Sequence, residues 1–558
     1  MAAKKKFSKN SRINVLIENI LGELCPFLEE QAREISELTA IGKALGTGKD
    51  ISVLLEMILS IARRFTKADG GTLYLVDHKT RNLVFHVVHN ESLKINKGGS
   101  SIDLPCVPLY NNDNTPNLSN ASSYVFHTGK IVNIKDVYKA EKFQFKGTKK
   151  FDEALHYKSK SMIVIPMKNH EDDIIGILQL INSKDLFSNK TIPFSKDDQE
   201  KAAALASQAS VILTQQTLIL EMKKLFEAFI KAIAVSIDEK SKHTGGHIQR
   251  VTELSMMIAR AVNQDTSLFE KVCLSYDQMD ELRIASLMHD TGKITTPDHI
   301  IGKSSRLETV YDRIEMVETR WELFKTNQKL VAAQKKLALF DQTAKQKEIF
   351  KIDNILDKQI DILEKEFEIL SDINSSKKAI GQSLIDSLEG IYEKSCNISG
   401  RHYPYLSEDE FENLCILKGT LTSREREIVN NHANLTKKIL SKLPWPKKLS
   451  NIPSIAGAHH EKLDGSGYPL NLNGKSLNIQ ARILAIADIF EALSAQDRPY
   501  KEPMSLTRTI KVLEGMGESM LLDNKIIQIF IRSGTCLEYA KKYLSKSQID
   551  TVQDNFIL

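Results

Sequence analysis

The stretch Leu287-Met-His-Asp-Thr-Gly-Lys-Ile294 limits what this 558-residue chain can fold into more than any other. His289 and Asp290, adjacent at an apolar helix end, offer an imidazole nitrogen and a carboxylate that can hold a divalent metal and orient its water. Lys293 lies one helical turn beyond, on the side of His289, where its ammonium can reach a phosphate oxygen. One His-Asp dipeptide among 14 histidines is weak evidence alone. The rest of the set strengthens it: His247 lies upstream, and His432, His459-His460 and Asp488 lie downstream, each on a segment that reads as a helix. Asp488 sits within Ile483-Leu-Ala-Ile-Ala-Asp-Ile-Phe-Glu-Ala-Leu493, where burying a carboxylate costs several kcal/mol unless a cation pairs with it.

Five elements recur in a recognisable order. They are His247-Ile-Gln-Arg-Val251, His289-Asp-Thr-Gly-Lys293, His459-His-Glu-Lys-Leu-Asp-Gly-Ser-Gly-Tyr-Pro469, Ala481-Arg-Ile-Leu-Ala-Ile-Ala-Asp488 and Arg498-Pro-Tyr-Lys501. The set resembles the HD-GYP family, a bacterial subclass of HD-domain phosphohydrolases that cleave cyclic di-GMP. The resemblance implies an all-α catalytic domain over 241–558 and metal ligands at His247, His289, Asp290, His432, His459, His460 and Asp488. Seven such donors suffice for two metals bridged by a carboxylate, and mixed imidazole and carboxylate donors with the resemblance point to iron or manganese. His243, one turn before His247, is left open as a ligand to a third metal, where family members that bind one carry Glu. Asp290 and Lys293 are the expected catalytic residues. Lys293, Gly467, Tyr468, Pro469, Arg498 and Lys501 are the expected substrate contacts, the glycines letting backbone approach and Tyr468 stacking on or hydrogen-bonding a guanine.

Upstream, 51–65 reads as a helix, 71–77 and 83–89 as a hairpin, and 130–134, 162–166 and 174–182 as later strands. A helix, a hairpin, a long variable middle and a closing hairpin resemble a GAF domain, a sensory module, here over 49–193 and with antiparallel sheet and helices. Lys149-Lys-Phe-Asp-Glu153 partly matches a cyclic-nucleotide-binding GAF signature but lacks its Asn, and reads as a solvated surface turn. Residues 1–48 read as an N-terminal helical arm, and 194–240 as a linker helix started by Ser195-Lys-Asp-Asp198. Its apolar repeat, Ala202, Leu205, Ala209, Ile212, Ile219, Phe226, Ile230, Ile233 and Ile237, with Gln216 and Lys223 interrupting, has coiled-coil spacing and predicts a homodimer seam. The expected fold class is therefore multidomain: an α+β GAF domain and an all-α HD-GYP domain joined by a long coiled-coil-like helix.

One departure from the family plan is an insertion over 308–418. Val310, Ile314, Val317, Trp321 and Phe324, then Leu356, Ile360, Leu363, Phe367 and Leu370, predict two helices with charged outer faces, a projecting hairpin where a protein partner could bind.

Composition excludes other classes. A net charge of +5 with 42% hydrophobic residues argues against broad nucleic-acid binding, and no apolar run is long enough to span a bilayer. Six cysteines without a CxxC pair suit a reduced, cytoplasmic protein. The leading expectation is a GAF-regulated metal-dependent phosphodiesterase that opens cyclic di-GMP to linear pGpG and/or GMP. The alternatives are the same chemistry on another cyclic dinucleotide such as cyclic GMP-AMP, and a non-catalytic dinucleotide-binding signalling scaffold.

Overall fold

Apolar runs on either side of a polar turn produce the hairpin of β1 (Ala68–Asp77) and β2 (Asn82–Asn90), with Gly71 opposite His89 and Asp77 opposite Asn82. The structure is a computed structural model. It describes residues 51–98, 105–240, 246–339, 346–375, 379–496 and 503–550, less 142, 144, 146, 147, 150, 151, 154, 155, 186, 187, 270 and 271, with scattered positions between 14 and 39. The arm expected over 1–48 lies, apart from those positions, outside the described residues. The chain divides into two units, Met1–Leu225 and Phe226–Leu558.

The first unit is α+β. After β1 and β2 come β3 (Ile95–Gly98), β4 (Val107–Pro108), β5 (Val132–Ile134), β6 (Met162–Lys168), β7 (Ile174–Lys184) and β8 (Thr191–Ile192). They form an antiparallel sheet in the order β3-β2-β1-β7-β6-β5, with β4 on β2 and β8 on β7. Helix α1 (Ile51–Phe65) buries Leu54, Leu55, Ile58 and Ile61 against Leu73, Val87, Leu178 and Leu180 on one sheet face. The other face, Tyr74, Leu83, Val164 and Ile177, packs on Ala121 and Val125 of α2 (Ala121–Thr128), which Asn120 caps and Gly129 ends at φ 64°.

Helix α3 (Lys196–Lys240) begins at a reciprocal cap, in which Ser195 N donates to Asp198 and Asp198 N to Ser195 Oγ. Part of the expected seam is covered by the chain itself. Ala202, Leu205, Ala209 and Ile212 are buried in the core of the first unit, and Ile230 and Ile237 are buried in the second. Between them, Ile219 and Phe226 of the same repeat are exposed. A different row is exposed on α3, Val211, Leu218, Met222 and Leu225, at spacings of seven, four and three residues.

The second unit is largely helical. Its centre is α4 (His247–Gln264), α5 (Tyr276–Met288), the short α6 (Asp298–Ile301), and, after the insertion, α11 (Ser423–Asn430), α12 (His432–Leu440), α13 (Ile452–Gly457), α14 (Ile479–Ser494), α15 (Leu506–Glu518), α16 (Asn524–Arg532) and α17 (Thr535–Tyr543). Ile483, Leu484, Ile486, Ala487 and Phe490 of α14 are buried among Leu254, Ile258, Leu282 and Phe530. The insertion holds α7 (Ile314–Leu339), α8 (Gln346–Ser375), α9 (Gln382–Tyr392), the hairpin β9 (Ser395–Ile398) and β10 (Arg401–Pro404), and α10 (Glu408–Leu414). The two expected helices form, but Val310 precedes α7 and is exposed. A separate core around Trp321, Phe324, Leu363, Leu370, Leu388 and Leu414 holds this region together, with Trp321 Nε1 donating to Leu363 O at 3.0 Å. Among the described residues no helix is long and apolar enough to cross a membrane.

Candidate metal centre

Helix α5 opens on a Ser275 capping box and closes at His289, its C-cap, after which Thr291–Thr295 tightens into a 3₁₀ turn. That turn lies against α12. Thr436 Oγ1 donates to His289 O at 2.9 Å and accepts from Gly292 N at 2.8 Å. Gly292 is required here because a Cβ would lie 2.0 Å from His432 O. The tight turn also places Lys293 differently from the expected α-helical turn: its Nζ donates to Asp290 Oδ2 at 2.6 Å.

The other donors come from three more places. His247 is the first residue of α4, entered through Gly246 at φ 82°. The Thr422 capping box forms as expected but opens α11, which ends at Asn431, so His432 heads a second helix rather than continuing the first. His459 and His460 follow α13, and Asp488 projects from α14.

The ring nitrogens are sorted by their partners. His289 Nδ1 donates to Ser286 O at 2.7 Å, His432 Nδ1 to Val429 O at 2.5 Å and His459 Nδ1 to Ala456 O at 2.6 Å. A carbonyl only accepts, so each of these imidazoles carries a hydrogen on Nδ1 and turns Nε2 to the centre; at His289 burial would lower the ring's pKa, but Asp290 and Asp488 raise it against that burial. His247 Nδ1 instead faces Glu491 Oε2 at 2.5 Å.

Two clusters result, His247 with His289 and Asp290, and His432 with His459 and His460, the donor atoms of each within 4.8 Å of one another. Asp290 spans them: Oδ2 is 3.5 Å from His289 Nε2 and 3.7 Å from His247 Nε2, while Oδ1 is 3.5 Å from His432 Nε2. Asp488 Oδ1 stands 3.4 Å from His247 Nε2 and 3.7 Å from His289 Nε2. His289 Nε2 is buried and makes no hydrogen bond. His432 Nε2 and His459 Nε2 are 3.2 Å apart. An orphaned buried nitrogen and two opposed lone pairs, beside two buried carboxylates, fit a bound cation.

Electrostatics agree with that geometry. Burial pushes His459 well below the ordinary imidazole value, lowers His432, and brings His460 to about 4, so this cluster presents neutral rings. Burial also opposes charge on His247, but Glu491 and Asp488 outweigh it and raise the ring to about 10. Burial would raise Asp290 and Asp488 as well; Lys293 and the neighbouring histidines overcome it at Asp290, and His247 and His289 at Asp488, holding both well below the usual carboxylate range.

The loop after His460 is tightly packed. A Cβ on Gly467 would meet Lys462 N at 2.4 Å and Glu461 Cα at 2.5 Å, so this glycine serves the fold of the loop itself. The Tyr468 ring lies 4.8 Å from that of His460, and Pro469 follows it, partly buried. Arg498, Lys501 and His243 lie outside the described residues.

Two functional neighbours escaped the sequence reading. Glu491 accepts from both His247 and Arg250; a second acid three residues after Asp488 on an apolar helix was the available signal. Buried Glu461 accepts from Leu470 N at 2.6 Å and Leu472 N at 2.8 Å, pinning the Gly-rich loop.

The first unit contains a cavity of about 320 Å³ lined by Tyr74, Phe85, His89, Ser122, Met162 and Gln179. Asp152 is buried, contrary to the expected solvated turn, and accepts from Ser159 N and Ser159 Oγ at 2.8 Å and from Tyr138 at 2.6 Å.

The chain matches the GAF domain over residues 50–213 and the HD domain over 244–352 and 409–526. It is 45% identical over 96 residues to the 3'3'-cGAMP-specific phosphodiesterase 3 of Vibrio cholerae, covering 17% of this chain and 20% of that protein. It is 37% identical over 142 residues to a probable cyclic di-GMP phosphodiesterase of Vibrio cholerae, covering 24% and 31%. It is 33% identical over 121 residues to a cyclic di-GMP phosphodiesterase of Thermotoga maritima, covering 22% and 32%. The chain thus spans between a fifth and a third of the length of these relatives. The HD domain, with its clustered His and Asp donors, implies divalent metal binding. The chain carries a GAF domain followed by an HD domain.

Proposed function

We propose that the chain is a metal-dependent phosphodiesterase that hydrolyses cyclic di-GMP to linear pGpG and/or GMP under control of its GAF domain. The observation that carries this reading is the convergence of two imidazole clusters on the single carboxylate of Asp290. His247, His289, Asp290 and Asp488 would hold one ion, and His432, His459 and His460, with Asp290 between, a second. The donor set of neutral imidazoles and carboxylates suits iron or manganese. His243 would serve a third.

Metal bound there supplies a Lewis acid and an acidified water. The chain's own residues do the rest. Lys293 Nζ, resting on Asp290 Oδ2, would turn to a non-bridging phosphate oxygen and offset the charge that grows there. Tyr468 beside His460 would receive a guanine face, with Gly467 and Pro469 shaping the loop behind it. Arg498 and Lys501 would meet the second phosphate. The cavity of the first unit supports a small regulatory ligand. The exposed row Val211, Leu218, Met222 and Leu225 supports a homodimer along α3. The described cysteines are free, which fits a cytoplasmic setting.

A second reading, the same chemistry on 3'3'-cGAMP, is favoured by the relative of that specificity. Purified protein incubated with each dinucleotide, with products separated by chromatography, tests both. Asp290→Ala is expected to abolish hydrolysis. Lys293→Ala should keep bound metal and lower turnover about 10²- to 10³-fold. Undiminished turnover in Asp290→Ala would remove the proposal.

A further inference from the structure

The hairpin of α7 and α8 hides one face of each helix and leaves another bare. Val317, Trp321 and Phe324 of α7 pack on Leu363, Leu370 and Ile373 of α8. Met316, Leu323, Leu330 and Leu337 of α7 are 45%, 45%, 54% and 72% exposed. They recur every seven residues, so they line one stripe about 30 Å long. At about 100° per residue the stripe falls on the side away from Trp321. Three residues after each of the first three stand Thr319, Thr326 and Ala333, small side chains that admit a leucine from a facing helix.

The charges beside the stripe decide what covers it. The residues immediately before its four members are Glu315, Glu322, Lys329 and Lys336. This order, two acids then two bases, complements itself when reversed. Two antiparallel copies of α7 related by a twofold axis near residues 325 and 326 set Glu322 against the partner subunit's Lys329, and Glu315 against the partner subunit's Lys336. A parallel pair would set Glu322 near Asn327 and Lys329 near Gln334, leaving both central charges unmatched, and Glu315 near Arg320, which Glu410 already holds at 2.8 Å. Within the chain, Glu322 contacts Lys325 at 3.0 Å and Lys336 contacts Asp353, both at the solvent-facing surface where such pairs are weak.

The geometry points to the outer face of α7 as a self-complementary interface, covered by the same helix of a second copy running antiparallel. This inference rests on neither the proposed chemistry nor the α3 dimer. Its test is sedimentation equilibrium of the full chain over a range of concentrations, for wild type, Lys329→Glu and the double variant Glu322→Lys with Lys329→Glu. Lys329→Glu should weaken self-association at least about tenfold, because two symmetry-related attractions become repulsions. The double variant should recover the wild-type association, since the pairs are rebuilt with signs exchanged. Unchanged helix content by circular dichroism separates lost association from lost fold. The inference is overturned if the wild type does not associate, if Lys329→Glu associates as the wild type does, or if the double variant stays as weak as the single. An association through α3 alone, or a stripe covered by the chain's own residues, would leave the three proteins alike and so overturn it too.

Discussion

His432 Nε2 and His459 Nε2 stand 3.2 Å apart, although each ring already donates its Nδ1 hydrogen to a backbone carbonyl, of Val429 and of Ala456. Two lone pairs so close repel unless a cation lies between them, and burial favours the neutral form of both rings, which makes a proton a poor candidate. The fold therefore holds a local conflict that a divalent metal resolves.

Metal removal should then be visible as lost stability. Chelation of the wild-type protein is expected to lower the melting temperature of its HD domain by about 5–10 °C, as expected for a ligand that binds only the folded state well above its dissociation constant. The double variant His432→Ala with His459→Ala should bind less metal by elemental analysis and lose little further on chelation. Calorimetric curves of the wild type that superimpose with and without chelator would contradict the account.

Glu491 acts on the centre through His247. Its Oε2 is 2.5 Å from His247 Nδ1, and its Oε1 accepts from Arg250 at 2.8 Å. Glu491→Gln preserves shape but removes the charge that keeps His247 basic and oriented, so metal affinity should fall about 10- to 100-fold. Competition against a chromophoric chelator measures this directly. An affinity within about twofold of wild type would show that Arg250 and the packing of α4 suffice.

Much of this was legible because chemistry and helix signals coincide. His289-Asp290, the Thr422 capping box and the apolar run around Asp488 each state their local structure, and the sheet strands read as β-branched and aromatic runs bounded by turns. Three features were not. The repeat in α3 reads as a coiled coil from period alone, since the period shows that a helix has an apolar face and not what covers it; Leu205 and Ile230 are covered by their own units. The short hairpin at Cys396 and Tyr403 in the insertion has strands of four residues, too few to set a period of two against the surrounding helices. Asp152 looks like a turn residue because a buried, fully satisfied carboxylate has no signature distinct from an exposed one.

Asp69 of the first unit carries a pH-dependent share of stability. Its carboxylate accepts from Tyr157 at 2.5 Å and Ser92 at 2.7 Å, and pairs with Lys184. Burial alone would raise its pKa, but the bond from Lys184 and those from Tyr157 and Ser92 lower it overall. A carboxyl lowered in the folded state stabilises above its unfolded value, about 3.9, and loses that contribution as pH falls through the lower folded value. Asp69→Asn should therefore cost about 1–3 kcal/mol at neutral pH, through donors left without their charged acceptor. The gap between wild type and variant should stay constant down to about pH 5 and narrow only below about pH 4. Denaturant melts across that range check it, and a gap that widens in acid would have the wrong sign.

Lys303 ties the insertion to the helices that carry the site. Its side chain is buried, and Nζ donates to Asn413 Oδ1 at 2.7 Å in α10 and to Glu425 at 2.9 and 2.8 Å in α11. Glu425 also caps α11, accepting from Thr422 N at 2.8 Å, and α11 leads through Asn431 to His432. Lys303→Met leaves Glu425 facing Asn413 without a counter-charge, and such a broken pair costs about 3–5 kcal/mol. Removing both charges, as in Lys303→Met with Glu425→Gln, should cost less than the single change, because the amide retains hydrogen-bonding capacity without a charge to desolvate. The single variant should also loosen metal at His432 while the double variant recovers part of it, since α11 keeps a capping side chain. Equilibrium unfolding together with metal titration separates these outcomes. A Lys303→Met protein as stable as wild type, or a double variant worse than the single by the sum of both losses, would mean that the insertion and α11 are held together by apolar packing alone.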